Sequence, residues 1–584
     1  MSKKYYIGIA STFHDPSLAI IDQHGEILFA ESTERHLQSK RAMGCAADPI
    51  VWSEKILKRY CDLNGEFHIA TTWSKAYTRT LNVLNSVGIF NKVPEGFSKI
   101  IFNKIFKSML PDSNLIWFLK KQLASNTHAG VSLERNLRWN HSNDKIFRYQ
   151  FNHHTTHASH AAYSSGFDDA VCLMVDGIGE MGSISYYEYK GNRIKQLGHH
   201  KGFESLGFFY TLITHLCGFD AVEGEEWKVM GMAPYGEKDD TFYDLLNSIL
   251  VIKDCNVKFK NDPKNVLIVL NKIEQILASS HNSFEQRANL AFTGQLLFSE
   301  FMEQLLKNLY SKKISENLVY AGGCALNSSF NGKIVSCSGF RNLYVPSAPA
   351  DDGTSVGAAY LAYFKNNPSA IPSKGTIQSP YLGSEISDNE IEQFIKHSGH
   401  HNIQHCPGTV HLETAKLLAE GNLVGWAQGR AEFGPRALGN RSILADPRSE
   451  SMKDKINSLV KFREEFRPFA PSILEEFGEE YFEDYQPSPY MERTLRFKAE
   501  KMNKVPAVVH VDGTGRLQTV RKDLNEKYYL LIKAFFEITG VPLVLNTSFN
   551  VMGKPIINSF NDALNVFFNS GLEVLVINDY IIKK

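Results

Sequence analysis

Runs of apolar, β-branched residues that end in a polar turn recur along this chain, and they set its expected architecture. Tyr5–Thr12 (YYIGIAST) predicts a strand running into a polar turn. His14, Asp15, Pro16 and Ser17 follow, and LAIIDQHGEILFAEST then turns at Gln23-His24-Gly25 as a β-hairpin does. The order returns further on. Ala170–Asp176 (AVCLMVD) suits a buried strand whose carboxyl end presents a loop. SISYYEYKGNRIKQL alternates and turns at Lys190-Gly-Asn, predicting a second hairpin.

Strand, polar loop, strand, turn, strand thus occurs twice. An actin-like ATPase core requires two such units, with phosphates held between their loops; a β-meander gives the same pattern. Residues 49–63 read as helical, as do Phe203–Phe219 and most of 240–315. The stretch 97–126 predicts one or two amphipathic helices broken near Pro111. It suits a lid or a homodimer face better than a membrane surface. Leu318–Tyr320 predicts a short strand, Gly322-Gly323 a tight turn, and Ala325 the start of a helix carrying Asn327. Pro, Ser and Gly accumulate in 365–387, which reads as a linker. The expected domains are therefore 1–367 and 385–584, the second another α/β unit with a buried strand at Val541–Asn546 and a last one in VLVINDYII.

Composition narrows the class. A chain of 584 residues allows roughly two to four domains. Its formal net charge of zero gives no support to a nucleic-acid or membrane partner. The eight cysteines are scattered without a CxxC pair, so cytoplasmic thiols are expected rather than a disulfide framework. The first residues lead straight into a strand with no signal-peptide pattern, and no apolar run reaches spanning length.

Candidate chemistry falls in a few places. In NHHTTHASHAA, His153 and His157 are four apart and share a helix face; His154 and His157, three apart, are also a feasible pair. Two such imidazoles bind a cation if a third ligand arrives, and an Asp of PADDGTSVGAA, Asp351 or Asp352, is a candidate. A plain helix N-terminus and a helix cap are the competing readings. Asp176, Gly177 and Gly179 form a loop open to close approach by a ligand, or simply a turn. GFDAVEGEEWKVMGMAPYG sets charges in a Gly-rich segment, a cleft wall or a surface loop. Arg430, Arg436, Arg441 and Arg448 crowd one constrained stretch, and Lys461, Arg463 and Arg467 a second. Guanidinium groups held this way match phosphate oxygens. Asn546, Ser548 and Asn550 add neutral donors and acceptors.

Together FHDPS, NHHTTHASHAA, VDGIGEMGS, EGEEWKVMGMAPYG, AGGCALNSSFNGK, PADDGTSVGAA, GRAEFGPRALGNRSILADPR, KFREEFRPFAP and LNTSFNVMGKPI resemble the carbamoyltransferase family of nodulation-factor, aminoglycoside, cephamycin and ansamycin O-carbamoyltransferases. The resemblance spans nearly the whole chain. It implies a duplicated actin-like N-terminal domain and a smaller C-terminal domain like a threonylcarbamoyl-adenylate synthase. It implies ATP, with Mg(2+), and carbamoyl phosphate as substrates, carbamoyl adenylate as intermediate, and a small hydroxylated natural product as acceptor. An iron(II)-type cation would sit on His153, His157 and Asp351, with His154 not a ligand. Arg436, Arg441, Lys461, Arg463 and Arg467 would neutralise phosphates, with Arg436, Lys461 and Arg467 catalytic. Asp176–Gly179, Gly322, Gly323 and Asn327 would hold the adenylate. His14 would accept the acceptor's proton, oriented by Asp15. The region 97–126 and the loop after Gly198 would line the acceptor pocket. The alternatives are a sugar kinase or ATPase of the same fold, or a tRNA-modification partner protein.

Overall fold

The structure, a computed structural model, describes residues 3–86, 112–180, 182–202 and 204–584. The chain forms two compact units: Met1–Thr33, Arg41–Asn327 and Lys333–Gln378 make the first, and Glu34–Lys40, Ser328–Gly332 and Ser379–Lys584 the second. The two short pieces that join the second unit are what a single linear boundary leaves out.

In the first unit, β1 (Lys4–Ala10), β2 (Ser17–Ile21), β3 (Ile27–Ser32), β4 (Glu66–Thr71) and β5 (Ile146–Gln150) form a sheet ordered β3-β2-β1-β4-β5. The first three run antiparallel, and β4 and β5 join parallel to β1. The second sheet repeats the scheme. β6 (Asp169–Val175), β7 (Ile184–Lys190) and β8 (Arg193–His199) are antiparallel. A separate hairpin follows, β9 (Leu250–Lys253) with β10 (Asn256–Phe259). Then β11 (Asn317–Ala321) and β12 (Asn342–Tyr344) add parallel beside β6. The order β12-β11-β6-β7-β8 is the first sheet's order read from its other end. This is a duplicated actin-like core. β1, β2 and β6 are almost wholly buried, as strands covered on both faces must be.

Two helices carry the histidine and Asp-Asp-Gly motifs, His153–Ser164 and Thr354–Asn366. They pack on each other, and the second also packs on β1. Small residues make the approach feasible. A Cβ at Gly357 would meet the Thr156 carbonyl oxygen at 1.8 Å, and Ser159 Oγ donates to the Gly357 carbonyl at 3.0 Å. The Asn152 side chain caps the first helix by accepting from Thr155 N at 3.2 Å. Backbone contact between the helices therefore brings the histidines to the start of the second one.

Several local expectations need correcting. The hairpin β9–β10 lies in a stretch read as mostly helical; Asp254 turns it with φ 54°. Asn327 does not sit on a helix. It falls between a 3-10 turn, Gly323–Leu326, and a short helix, Ser328–Asn331. Of the segment 97–126, only the helix Asp112–His128 is described, and the positions 97–111 lie outside the described residues.

The second unit is α/β, as expected. β13 (Ile403–His405), β14 (Val424–Ala427), β15 (Arg441–Ala445), β16 (Ala470–Leu474), β17 (Arg493–Arg496), β18 (Thr514–Val520), β19 (Leu543–Ser548), β20 (Val574–Ile577) and β21 (Tyr580–Lys583) make one mixed sheet. Its order is β13-β21-β20-β14-β15-β19-β16-β18-β17. The candidate arginine loops join β14 to β15 and lead into β16. Among the described residues no helix is long and apolar enough to cross a membrane.

One buried carboxyl in the first unit makes stability depend on pH. Asp48 is 1% exposed, and its Oδ2 accepts Leu133 N at 3.1 Å. Burial pushes this carboxyl up to about 6, against the pull of the Leu133, Gly130 and Ser132 amides. Between the unfolded value, near 4, and the folded one, the folded chain holds a proton that the unfolded chain releases. Stability contributed by Asp48 is therefore full below pH 4 and falls as pH rises through 6, by up to about 3 kcal/mol. Asp48→Asn keeps an oxygen for Leu133 and cannot ionise. In denaturant unfolding, its stability advantage over the parent should grow between pH 4 and pH 7 by that order; a pH-independent difference would contradict this.

Candidate metal centre and anion site

Four side chains of the first unit converge in its interior. His153 and His157 come from one helix, Asp176 from the end of β6, and Asp351 from the turn before Thr354–Asn366. Their candidate ligand atoms all lie within 4.8 Å of one another, and all four residues are buried. His153 Nε2 is 3.4 Å from Asp176 Oδ2 and 3.5 Å from Asp351 Oδ1. His157 Nε2 is 3.5 Å and 3.4 Å from the same two oxygens. Good N–H···O bonds measure about 2.7–3.2 Å. Ligands about 2.1 Å from a shared cation in tetrahedral array stand about 3.4 Å apart. His157 Nε2 has no hydrogen-bond partner although buried. The spacing, the orphaned nitrogen and the mixed nitrogen–oxygen donor set all fit a divalent cation.

The electrostatics agree. Burial alone would lower the His153 imidazole, but Asp351 and Asp176 raise it to about 10, and His157 is raised by the same two carboxylates. Burial would raise the carboxyls of Asp176 and Asp351, and the facing carboxylates raise each other. The histidines overcome this and hold both below the ordinary range. Without a metal, protonated imidazoles supply the positive charge that two facing carboxylates demand. His154 points elsewhere. Its Nδ1 meets Ser185 Oγ at 2.7 Å, and burial followed by the charge of His153 lowers it to about 3. Of the two adjacent acids, Asp351 faces the histidines, whereas Asp352 Oδ2 accepts from Ser32 Oγ at 3.1 Å and its Oδ1 from Gly353 N at 3.0 Å.

His14 adjoins this cluster. Its Nδ1 is 2.8 Å from Asp15 Oδ2 and 3.8 Å from Asp351 Oδ2. The sequence reading missed Arg41, whose Nε and Nη2 donate to Asp15 Oδ2 at 3.3 and 3.1 Å. Asp15 N in turn donates to the Arg41 carbonyl at 2.8 Å. Both residues have left-handed φ, 50° and 58°. Burial raises the Asp15 carboxyl, and Arg41 then His14 bring it below its usual value. The His14–Asp15 bond takes up Nδ1, and Nε2 is the ring nitrogen outside that bond. Glu226, in the segment read as a cleft wall or loop, accepts from Thr211 Oγ1 at 3.3 Å. Burial raises its carboxyl, and Arg41 opposes the rise.

The glycine loops differ from expectation. Gly177 N and Gly323 N both donate to Asp176 Oδ1, at 2.8 and 3.2 Å. Gly179 N donates to the Gly182 carbonyl at 2.7 Å. These amides brace Asp176 and the loop instead of standing open to a nucleotide. Gly322 has φ 96°, and a Cβ there would meet the Val175 carbonyl oxygen at 2.3 Å. Its glycine is needed for backbone approach within the fold. Asn327 Nδ2 donates to Gln295 Oε1 at 3.0 Å, and Tyr210 OH donates to the same oxygen at 2.7 Å.

In the second unit the predicted cations do gather. Burial pushes the Arg436 guanidinium down to about 10. Burial, then Arg467, pushes Arg463 down to about 9. Lys461 is pushed well down by burial, Arg463 and Arg467. Arg516, which the sequence reading missed, is pushed well down by burial, Arg436 and Arg463. These cations therefore feel one another. Glu464 pairs with Arg467 at 3.1 Å. Arg463 Nη2 and Arg516 Nε are buried without partners. Guanidinium groups stay charged at neutral pH even when so shifted, so the cluster is a standing demand for a polyanion. Lys461 Nζ is held by the Ser548 carbonyl and hydroxyl and by the Asn550 carbonyl and Oδ1.

Two of the predicted ligand residues are engaged by the protein itself. Arg441 is fully buried, and its terminal nitrogens donate to the carbonyls of Gln428, Asn440, Ser384 and Gly429 at 2.7–3.1 Å. It ties the loop down. Asn546 is 1% exposed, and its Nδ2 is shared by the Ala437 carbonyl, Ser472 Oγ and Gln518 Oε1.

Residues 5–360 match the family described as the carbamoyltransferase N-terminus, and residues 415–584 that described as the carbamoyltransferase C-terminus. The chain is 38% identical over 452 residues to nodulation protein NolNO of Sinorhizobium fredii, covering 74% of this chain and 63% of that one. It is 34% identical over 444 residues to nodulation protein NolO of Bradyrhizobium diazoefficiens, covering 74% and 79%. An uncharacterized protein of Methanocaldococcus jannaschii is 30% identical over 611 residues, 99% of both chains. Among solved structures, full-length HypF in its phosphate- and nucleotide-bound form aligns with TM-score 0.33 and 13% identity over 63% of this chain and 56% of its own.

The donor set makes a specific expectation. Metal analysis of chain purified without oxygen should find about one divalent cation per chain, because the four ligands close a single site. His157→Ala and Asp176→Ala should each lose it. Asp352→Asn, one position from a ligand but turned away, should keep it. Unchanged metal in His157→Ala would contradict the assignment.

Proposed function

We propose, from the premise that this chain belongs to the carbamoyltransferase family, that its carbamoyl donor is carbamoyl phosphate, activated by ATP and Mg(2+) as carbamoyl adenylate, and that its acceptor is a hydroxyl of a small natural product. The observation that carries the reading is the group of Arg436, Lys461, Arg463, Arg467 and Arg516, in which Arg463 Nη2 and Arg516 Nε are buried without partners. One small monoanion does not need so many cations; a triphosphate together with a carbamoyl phosphate does.

Adenylate formation belongs to the second unit. Carbamoyl phosphate gives its phosphate to water, and the carbamate oxygen attacks the α-phosphorus of ATP. The α–β bridging bond breaks and pyrophosphate leaves. Arg436, Lys461, Arg463, Arg467 and Arg516 hold the charges that build up on the departing oxygens. Ser548 and Asn550, which now hold Lys461, keep that ammonium aimed at the site. Transfer belongs to the first unit. The acceptor oxygen attacks the carbamoyl carbon, the bond to the AMP phosphate oxygen breaks, and the acceptor proton goes to His14 Nε2. Asp15 accepts from Nδ1, fixing the tautomer that leaves Nε2 basic. His153, His157, Asp176 and Asp351 would hold a cation, which we assign as iron(II), and it would supply Lewis acidity toward a carbamoyl or phosphate oxygen.

Labelled pyrophosphate should exchange into ATP only when carbamoyl phosphate is present; a kinase or ATPase gives no such exchange, and its absence would overturn the proposal. A screen of hydroxylated small molecules with ATP and carbamoyl phosphate, read as a mass gain of one carbamoyl group, identifies the acceptor. His14→Ala should retain exchange and lose transfer by about 10²–10⁴-fold.

A further inference from the structure

Arg35 belongs to the second unit although it lies early in the sequence. It is 2% exposed, among the largest fully buried side chains of the protein. One terminal nitrogen donates to the Gly434 carbonyl at 2.8 Å. The other, Nη1, is buried without a partner. Its sequence neighbour Glu34 comes no closer than 4.0 Å to Nε. A guanidinium buried with so little compensation is a poor choice for packing alone, because an apolar side chain of similar size stabilises such a position better.

What it holds explains it. Gly434 has φ 124° and stands two residues before Arg436. Arg436 belongs to the anion site, where its charge acts on Arg516. The same short segment also holds a second loop. Gln38 Nε2 donates to the Ile556 carbonyl at 3.2 Å, and Lys554 Nζ donates to the Gln38 carbonyl at 3.4 Å. Asn550 Nδ2 donates to the Lys554 carbonyl at 2.6 Å, and Asn550 is one of the residues around Lys461. Residues Glu34–Lys40 thus form a strap across the loops that carry Arg436 and Asn550.

We infer that Arg35 is a positioning residue of the anion site, holding the Gly434–Arg436 turn so that the Arg436 guanidinium meets a phosphate. The inference rests on the reading of the cation cluster as an anion site. Arg35 touches no substrate in this scheme; it acts through the backbone of Gly434. A fixed turn pre-orients a long flexible side chain, which strengthens anion binding by reducing the ordering cost at the moment of capture.

Inorganic pyrophosphate, titrated calorimetrically into the full chain, tests this without any turnover. Arg35→Gln and Arg436→Gln should each weaken binding about tenfold or more, the scale of one lost charge-assisted contact. Because Arg35 acts through Arg436, the double variant should bind no more than about twofold worse than Arg436→Gln alone. Arg35→Lys, which can still reach the Gly434 carbonyl, should recover part of the loss. If Arg35→Gln does not fold, Arg35→Lys replaces it in the same cycle, with the same criterion. Arg35→Gln that folds and binds pyrophosphate like the parent would overturn the inference, as would losses that multiply. Parent chain that binds pyrophosphate in this Arg35-dependent way but shows no exchange would defeat the adenylate reading and support the role of Arg35. Parent chain that binds no pyrophosphate would overturn both.

Discussion

Like charges held together out of water are the constraint on which this protein depends. In the first unit two carboxylates, Asp176 and Asp351, face the same pair of imidazoles at 3.4–3.5 Å. In the second, Arg436, Lys461, Arg463, Arg467 and Arg516 press on one another. Both arrangements cost folding free energy, because burial penalises charge and neighbours of the same sign add to the penalty. A fold keeps such groups only if the rest of it over-determines their positions. The backbone contact at Gly357, the amides on Asp176 Oδ1 and the carbonyls around Arg441 are the means by which it does so.

Much of this was legible in the sequence, and the reasons are local. The duplicated strand order could be read because each hairpin has its own alternation and its own turn residues. The spacing of His153 and His157 reports a helix face directly, so the cluster was foreseeable up to its partners. The basic segments around Arg436 and Lys461 were visible as charge in Gly- and Pro-punctuated loops. The hairpin at Leu250–Phe259 was hidden because a four-residue strand carries too little periodicity to stand out between the helices Asp240–Asn247 and Asn265–Ser279.

What the sequence did not separate is function from support among residues of one type. Arg441 and Arg436 lie five positions apart in one motif. One spends its donors on four backbone carbonyls, and the other keeps them. Asp176 was read as part of a phosphate loop, yet Gly177 and Gly323, placed in the same role, turn their amides onto its Oδ1 and leave Oδ2 to the histidines. Arg41 and Arg516 were missed for a related reason. Arg41 reaches Asp15 only because both residues adopt left-handed backbone, and Arg516 joins its cluster only through the register of β18 in the sheet. Neither conformation nor register is written in residue type.

Asp351 shows how the chemistry of the first unit is tied together. Its Oδ1 faces the two histidines, and its Oδ2 stands 3.8 Å from His14 Nδ1. Asp15 is the nearer partner of that ring, at 2.8 Å. Asp15 can fill that role because Arg41 keeps it ionised and fixed. Asp351 thus stands between the histidine pair and His14, while Arg41, through Asp15, fixes the other side of the same ring.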